Sequence, residues 1–176
     1  MVMTRVLIYL LRRDLRLADN PIFHEISRVS QQEQSKQPFS HVLPLYVLSA
    51  QQIELSGFLS PPHQQSPYPA ARSRHGGFWR CGPKRAKFLA ESVWDLKTSL
   101  EAVGSGLAIR AGTVSDVVRD LLDGFKSSGS VGVFGLWMTS EEGFEEKQEE
   151  HQVRSIVEGE GIQFRLFTDE KYLVDE

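Results

Sequence analysis

Chemistry in this chain has to come from clusters of charge, because its nucleophiles and histidines are scattered. Residues 12–21 read RRDLRLADNP and crowd Arg12, Arg13, Asp14, Arg16 and Asp19 into one short run. Guanidinium groups clamp carboxylates or phosphates through paired N–H donors, and an aspartate fixes a turn by accepting backbone amides. Two readings are open. In the simpler one the run is a structural network in which Asp14 accepts from neighbouring arginines or amides; in the other it contacts a ligand or partner.

Acidic residues form a second cluster, Glu141 and Glu142 followed by Glu145, Glu146, Glu149 and Glu150. Glu141 and Glu142 are expected in the first turn of a helix, where acids offset the macrodipole. From Glu145 onward the run reads as a solvated helix face. The third cluster is basic and aromatic: Arg72, Arg74, Arg80, Lys84, Arg85 and Lys87 interleave with Phe78 and Trp79. Arginines neutralise phosphates and aromatic rings stack on bases, so Arg72, Arg74 and Arg80 are candidate nucleic-acid contacts. The alternative is a loop whose aromatics tuck onto the protein while its charges face water.

Other chemistries find little support. Cys81 is the single cysteine, and no Cys/His spacing suits a metal. There is no Gly-x-Ser-x-Gly elbow and no phosphate-binding P-loop. With 176 residues and a net charge of -3, the chain predicts one soluble, intracellular domain with no global attraction to a polyanion. No apolar run is long enough to span a membrane. Cytoplasm, nucleus and organelle stay open.

Five apolar runs predict the strands that must position these clusters: residues 5–11, 42–48, 107–110, 131–137 and 162–167. Helices are expected between them. Asn20 with Pro21 opens one that runs to about Val29, since Asn caps free amides and Pro lacks one. A second covers about 84–103, with Leu89, Val93, Leu96, Leu100 and Val103 on one face. Thr113 and Asp116 resemble a capping box opening a third, through Leu122, and Ser140 is expected to cap a fourth reaching about Glu158. Trp94 and Trp137 are expected in the core. Strict alternation of strand and helix predicts an α/β fold, a doubly wound parallel sheet whose ligands bind beyond the carboxyl ends of the strands. Residues 49–82 interrupt the pattern as a long insertion, and the Ser/Pro/Gln composition of 56–71 is that of a flexible segment.

The apolar strand, the RRDLR run and the DNP helix start together resemble the opening of the DNA photolyase/cryptochrome family. Residues 82–112 (GPKRAKFLAESVWDLKTSLEAVGSGLAIRAG) resemble a second block of that family, in the form of its cryptochrome-DASH branch. The T-S-E-E-G run and T-D-E-K-Y ending are similar to fungal cryptochrome-DASH sequences. The resemblance implies a Rossmann-like sheet of order 3-2-1-4-5, spanning 1–176 as one N-terminal antenna domain. It implies a folate chromophore, 5,10-methenyltetrahydrofolate, whose pterin presents adjacent donors that one carboxylate can accept. Glu141 and Glu142 are the candidates for that role. It further implies an FAD-binding helical domain as partner, and light-driven repair of cyclobutane pyrimidine dimers in single-stranded DNA by the longer protein. The family's flavin-contacting positions have no counterparts here, so the chain alone is expected neither to hold FAD nor to repair dimers, and whether it is an enzyme in its own right stays open. A stand-alone nucleotide-binding or protein-interaction module is the alternative.

Overall fold

The computed structural model describes residues 4–33, 37–55, 66–73 and 75–169. Five strands and four helices alternate: β1 (Thr4–Leu11), α1 (Pro21–Ser30), β2 (His41–Ser49), α2 (Pro83–Ala102), β3 (Ala108–Gly112), α3 (Val114–Ser128), β4 (Val131–Thr139), α4 (Phe144–Gly159) and β5 (Gln163–Phe167). All neighbouring strands pair parallel, in the order β3-β2-β1-β4-β5. The expected α/β sheet and its strand order are therefore the observed ones.

Strand β1 runs through the middle of the sheet and carries the period of two that builds both cores. Leu7, Tyr9 and Leu11 face the layer of α1 and α2, where they meet Ile22, Val93, Leu96 and Leu100. Ile8 and Leu10 face the layer of α3 and α4, against Val118, Leu122, Val153 and Val157. Leu7, Ile8 and Leu10 are at most 1% exposed, so truncating any one to Ala would cost about 2–5 kcal/mol in lost burial and cavity. The sheet needs both helix layers because β1 offers no solvent face.

Of the three side-chain caps expected at helix starts, one forms and two do not. Asn20 caps α1, its side-chain oxygen accepting from the amides of Ile22 and Phe23 at 3.0 Å each, with Pro21 in the first turn. Thr113 occupies the N-cap of α3 but makes no side-chain cap bond, so the expected capping box does not form, and the helix continues past Leu122 to Ser128. Ser140 does not cap α4. Its amide donates to the Phe167 carbonyl at 2.9 Å, which prolongs the β4–β5 ladder and delays the helix to Phe144, with Gly143 at the N-cap.

Two expected core residues are exposed. Trp94 lies 64% open on the outer side of α2 with Lys97 over its ring, and Val103, the C-cap, is 74% open. Within the long connection, residues 56–65 and Arg74 lie outside the described residues, as do residues 170–176 with most of the T-D-E-K-Y ending. The described flanks pack closely. Leu55 and Ala71 are buried, the Ala50 amide donates to the Gly112 carbonyl at 2.9 Å, and Arg72 pairs antiparallel with Trp79.

Candidate functional site at the carboxyl edge of the sheet

Strands β1 and β4 are neighbours, yet the chain leaves them toward opposite layers, which opens a crevice beyond their carboxyl ends. A cleft of about 490 Å³ occupies it. Leu11, Tyr46, Phe88 and Leu89 supply apolar walls, while Arg12, Arg85, Gln52 and Glu149 supply polar groups. Burial pushes the Tyr46 phenol up to about 12, with Cys81 adding and Arg85 opposing. The phenol is thus a neutral hydrogen-bond donor throughout the physiological range.

The charged run after β1 is first of all a structural network. The Tyr9 hydroxyl donates to Asp14 Oδ2 at 2.5 Å, and the Arg12 amide donates to Asp14 Oδ1 at 3.0 Å. Asn20 Nδ2 donates to the Tyr9 oxygen at 2.8 Å. Asp14 and Asn20 are 1% and 2% exposed, so these bonds replace water entirely. Burial first, and then the Asp14 charge, raises the Tyr9 phenol far above its ordinary value, so it serves only as a neutral donor. Asp19 adopts a left-handed φ of 54°, and its carbonyl accepts from Arg16 at 2.8 and 3.1 Å. Arg16 also bridges to Asp169 beyond β5 at 2.7 Å.

The turn so fixed aims the remaining arginines at α4. Arg12, its side chain 7% exposed, bonds Glu149 at 2.9 Å, the Glu146 carbonyl at 3.0 Å and the Thr139 carbonyl at 3.5 Å. Arg13 pairs with Glu146, and Arg80 holds Glu145 through both terminal nitrogens at 2.5 and 2.9 Å. Burial raises the Glu149 carboxyl above its ordinary value, with Arg12 pulling it back. The expected solvated face from Glu145 onward therefore holds at Glu145, whose side chain is 47% exposed, and fails at Glu146, Glu149 and Glu150, which are half-buried or buried. Glu145, Glu146 and Glu149 all line the cleft, Glu149 sharing a side of the helix with each of the other two because it lies four and three residues beyond them. Glu150 points the other way and is buried with Val153 and Val157, its Oε2 without a partner among the described residues.

Glu141 and Glu142 part company. Neither lies in the helical turn expected of them, since α4 opens only at Phe144. Glu141 is 8% exposed just past the end of β4, whereas the Glu142 side chain is open to solvent with Lys147 at 3.9 Å. Neither lines the cleft. Nearby, the buried Thr139 hydroxyl and Trp137 indole N–H have no partner among the described residues.

In the basic and aromatic stretch, Arg72 stacks on Trp79 at 3.8 Å from the ring centroid and donates to the Gly77 carbonyl at 2.7 Å. Arg80 is committed to Glu145, and Arg74 lies outside the described residues. The aromatics do not tuck onto the protein: Phe78 and Trp79 are 74% and 47% exposed. Cys81 is a free thiol, and the described residues contain no His/Cys/Asp/Glu group able to hold a metal. No described helix is long and apolar enough to cross a membrane.

Sequence reasoning missed Tyr9, Tyr46, Arg85 and Glu149 as parts of this site. The available signal was an excess of charge, because the arginines after a buried strand outnumber the aspartates beside them and must find acids elsewhere, as Arg12 and Arg13 do at Glu149 and Glu146.

Comparisons with known proteins agree on the kind of chain. The sequence profile described as DNA photolyase matches residues 7–175. A mitochondrial cryptochrome DASH of Neurospora crassa is 53% identical over the full chain and 23% of its own length. A cryptochrome DASH of Gibberella zeae is 45% identical over 98% of the chain and 24% of its own length. The chain thus spans about a quarter of the length of these curated relatives. Among solved structures, a Synechocystis cryptochrome superposes with a TM-score of 0.71 at 20% identity, covering 94% of this chain and 28% of that one. An archaeal photolyase from Sulfolobus tokodaii, described with two FAD molecules and a novel light-harvesting cofactor, gives 0.60 at 18% identity, covering 93% of this chain and 29% of that one.

Proposed function

Given that this chain belongs to the DNA photolyase family, we propose that it is the chromophore-carrying N-terminal domain of a cryptochrome-DASH protein. The observation that carries this reading is the match of family and fold: a DNA photolyase sequence profile over residues 7–175 on a 3-2-1-4-5 parallel sheet. The chromophore we assign is a reduced folate, 5,10-methenyltetrahydrofolate, and the residue that would accept the pterin's paired donors is Glu141. Burial at the carboxyl end of β4 supports Glu141 over Glu142, because a carboxylate screened from water binds donors more strongly. FAD would belong to the helical domain of the longer relatives, which is the natural partner. Light-driven repair of pyrimidine dimers in single-stranded DNA would be the work of the two domains together. Arg72 and Arg80 could reach DNA only by giving up Trp79 and Glu145.

Titrating the chain with 5,10-methenyltetrahydrofolate, followed by its absorbance after gel filtration, tests the reading. Glu141→Gln turns an acceptor oxygen into a donor and is expected to weaken binding by about 1–3 kcal/mol, roughly 5- to 150-fold. Glu145→Gln is expected to leave it unchanged. Equal affinities for wild type and Glu141→Gln refute the assignment. The switch-point cleft also favours a nucleotide-binding module, which would show instead as a nucleotide released on denaturation.

A further inference from the structure

Glu141 and Glu142 are neighbours in the chain, yet the first is 8% exposed and the side chain of the second is 85% exposed. Which of the two is buried depends on how the connection of residues 140–143 is turned between the end of β4 at Thr139 and the start of α4 at Phe144. One guanidinium reaches both ends of that connection. Arg12 donates to the Thr139 carbonyl at 3.5 Å and to the Glu146 carbonyl, in the first turn of α4, at 3.0 Å, and it bonds Glu149 further along the helix at 2.9 Å. We infer that Arg12 is the positioning residue for Glu141: it fixes the span and the orientation of the connection that presents this carboxylate. What Glu141 binds rests on the folate reading above; what holds Glu141 in place does not.

Arg12 suits the task because it is itself held fast. Its amide donates to the buried Asp14 carboxylate at 3.0 Å, and its side chain is nearly sealed from water. Three acceptors on two elements call for several donors in a fixed plane, which a guanidinium has and an ammonium lacks. Thr139 is fully buried, so no water stands ready to replace the arginine at its carbonyl. Two further ties act on the same connection. The Ser140 amide donates to the Phe167 carbonyl at 2.9 Å. Arg13 pairs with the Glu146 carboxylate, which lies over Gly143 where a side chain on residue 143 would overlap it. Each of these grips one end, whereas Arg12 joins the two.

Hydrogen exchange of the unliganded chain, read on peptides covering residues 139–144, tests the placement. The variants are Arg12→Lys, and Arg12→Gln made together with Glu149→Gln so that no buried carboxylate is left unpaired. Amides of 140–143 are expected to exchange roughly 10-fold faster in the double variant, with Arg12→Lys between it and wild type, while peptides of β1 and α1 keep their protection. Unchanged exchange at 140–143 overturns the inference, and so does an increase that spreads equally through β1 and α1, the mark of general loosening. Should the double variant fail to fold, Arg12→Lys decides. Titration with 5,10-methenyltetrahydrofolate adds a readout that a merely structural arginine would not move. The double variant should bind roughly 5- to 20-fold more weakly than wild type, but lose less than about 2-fold when Glu141→Gln is already present, because only a carboxylate can be misplaced. Equal losses in both backgrounds overturn the role given to Arg12. If Glu141→Gln alone binds as tightly as wild type, the folate reading fails at Glu141 and the exchange comparison decides the placement.

Discussion

Replacing Tyr9 by Phe removes one oxygen from the middle of the sheet and leaves the ring, edge-on to Phe23 at 5.0 Å, in place. That oxygen donates to the Asp14 carboxylate at 2.5 Å and accepts from Asn20 at 2.8 Å. A bond to a charged acceptor contributes about 1.5–3 kcal/mol and a neutral one about 0.5–1.5 kcal/mol. Neither orphaned partner can turn to water, because Asp14 and Asn20 are almost fully buried. The expected loss is therefore about 2–4 kcal/mol, against the roughly 5–15 kcal/mol that holds a domain folded. With a urea slope of about 2 kcal/mol per molar, the unfolding midpoint should fall by about 1–2 M. The cap of α1 should survive, since Asn20 Oδ1 still faces its two amides. In a double-mutant cycle with Asp14→Asn, coupling above about 1 kcal/mol is expected. An unchanged midpoint would refute the reasoning, because the run after β1 would then owe nothing to this network.

Two carboxyls make opposite predictions about pH. Glu25 is held down to about 2 by its bond to Arg28, against burial, with Arg165 adding. A depressed carboxyl stabilises above its unfolded value, near 4.5, and that contribution disappears as pH falls toward 2; urea midpoints of Glu25→Gln should be flatter there than those of wild type. Glu149 is raised, chiefly by burial, so its contribution is full below the unfolded value and is lost as pH rises through the folded one. The stability difference between wild type and Glu149→Gln should shrink with rising pH over that window, and a constant difference would contradict the burial argument. In β4, a Cβ on Gly135 would lie 3.1 Å from the Gln163 carbonyl oxygen, a backbone atom of the β4–β5 ladder that cannot step aside cheaply. Gly135→Ala should cost about 1–3 kcal/mol by thermal or urea unfolding, and a change under about 0.5 kcal/mol would show that the ladder yields.

The order and type of the elements were legible because each rests on local pattern. Buried parallel strands read as unbroken apolar runs, and the Asn20–Pro21 start carries its own cap chemistry. The family blocks carried the strand order, which periodicity alone leaves open. Ser140 was misread because its amide is taken by Phe167, a residue far along the chain, and local capping preference yields to a strand pairing of that kind. Trp94 departs from the expected core because it sits beside the stripe of Val93, Leu96 and Leu100 that α2 buries, on the side of the helix turned to solvent. The site was the least legible part. A run of glutamates on a helix reads as solvent-facing unless three arginines from two distant loops are known to meet it, and the surplus of arginines in the sequence does not say which acids they meet. Tertiary packing alone decided that Glu145, Glu146 and Glu149 face a cleft, that Glu149 is pressed toward its protonated form, and that Glu141 is buried while Glu142 is not. The physical reason is that burial and pairing belong to the surroundings of a side chain, and those surroundings are assembled from segments more than a hundred residues apart, as Arg12 and Glu149 are.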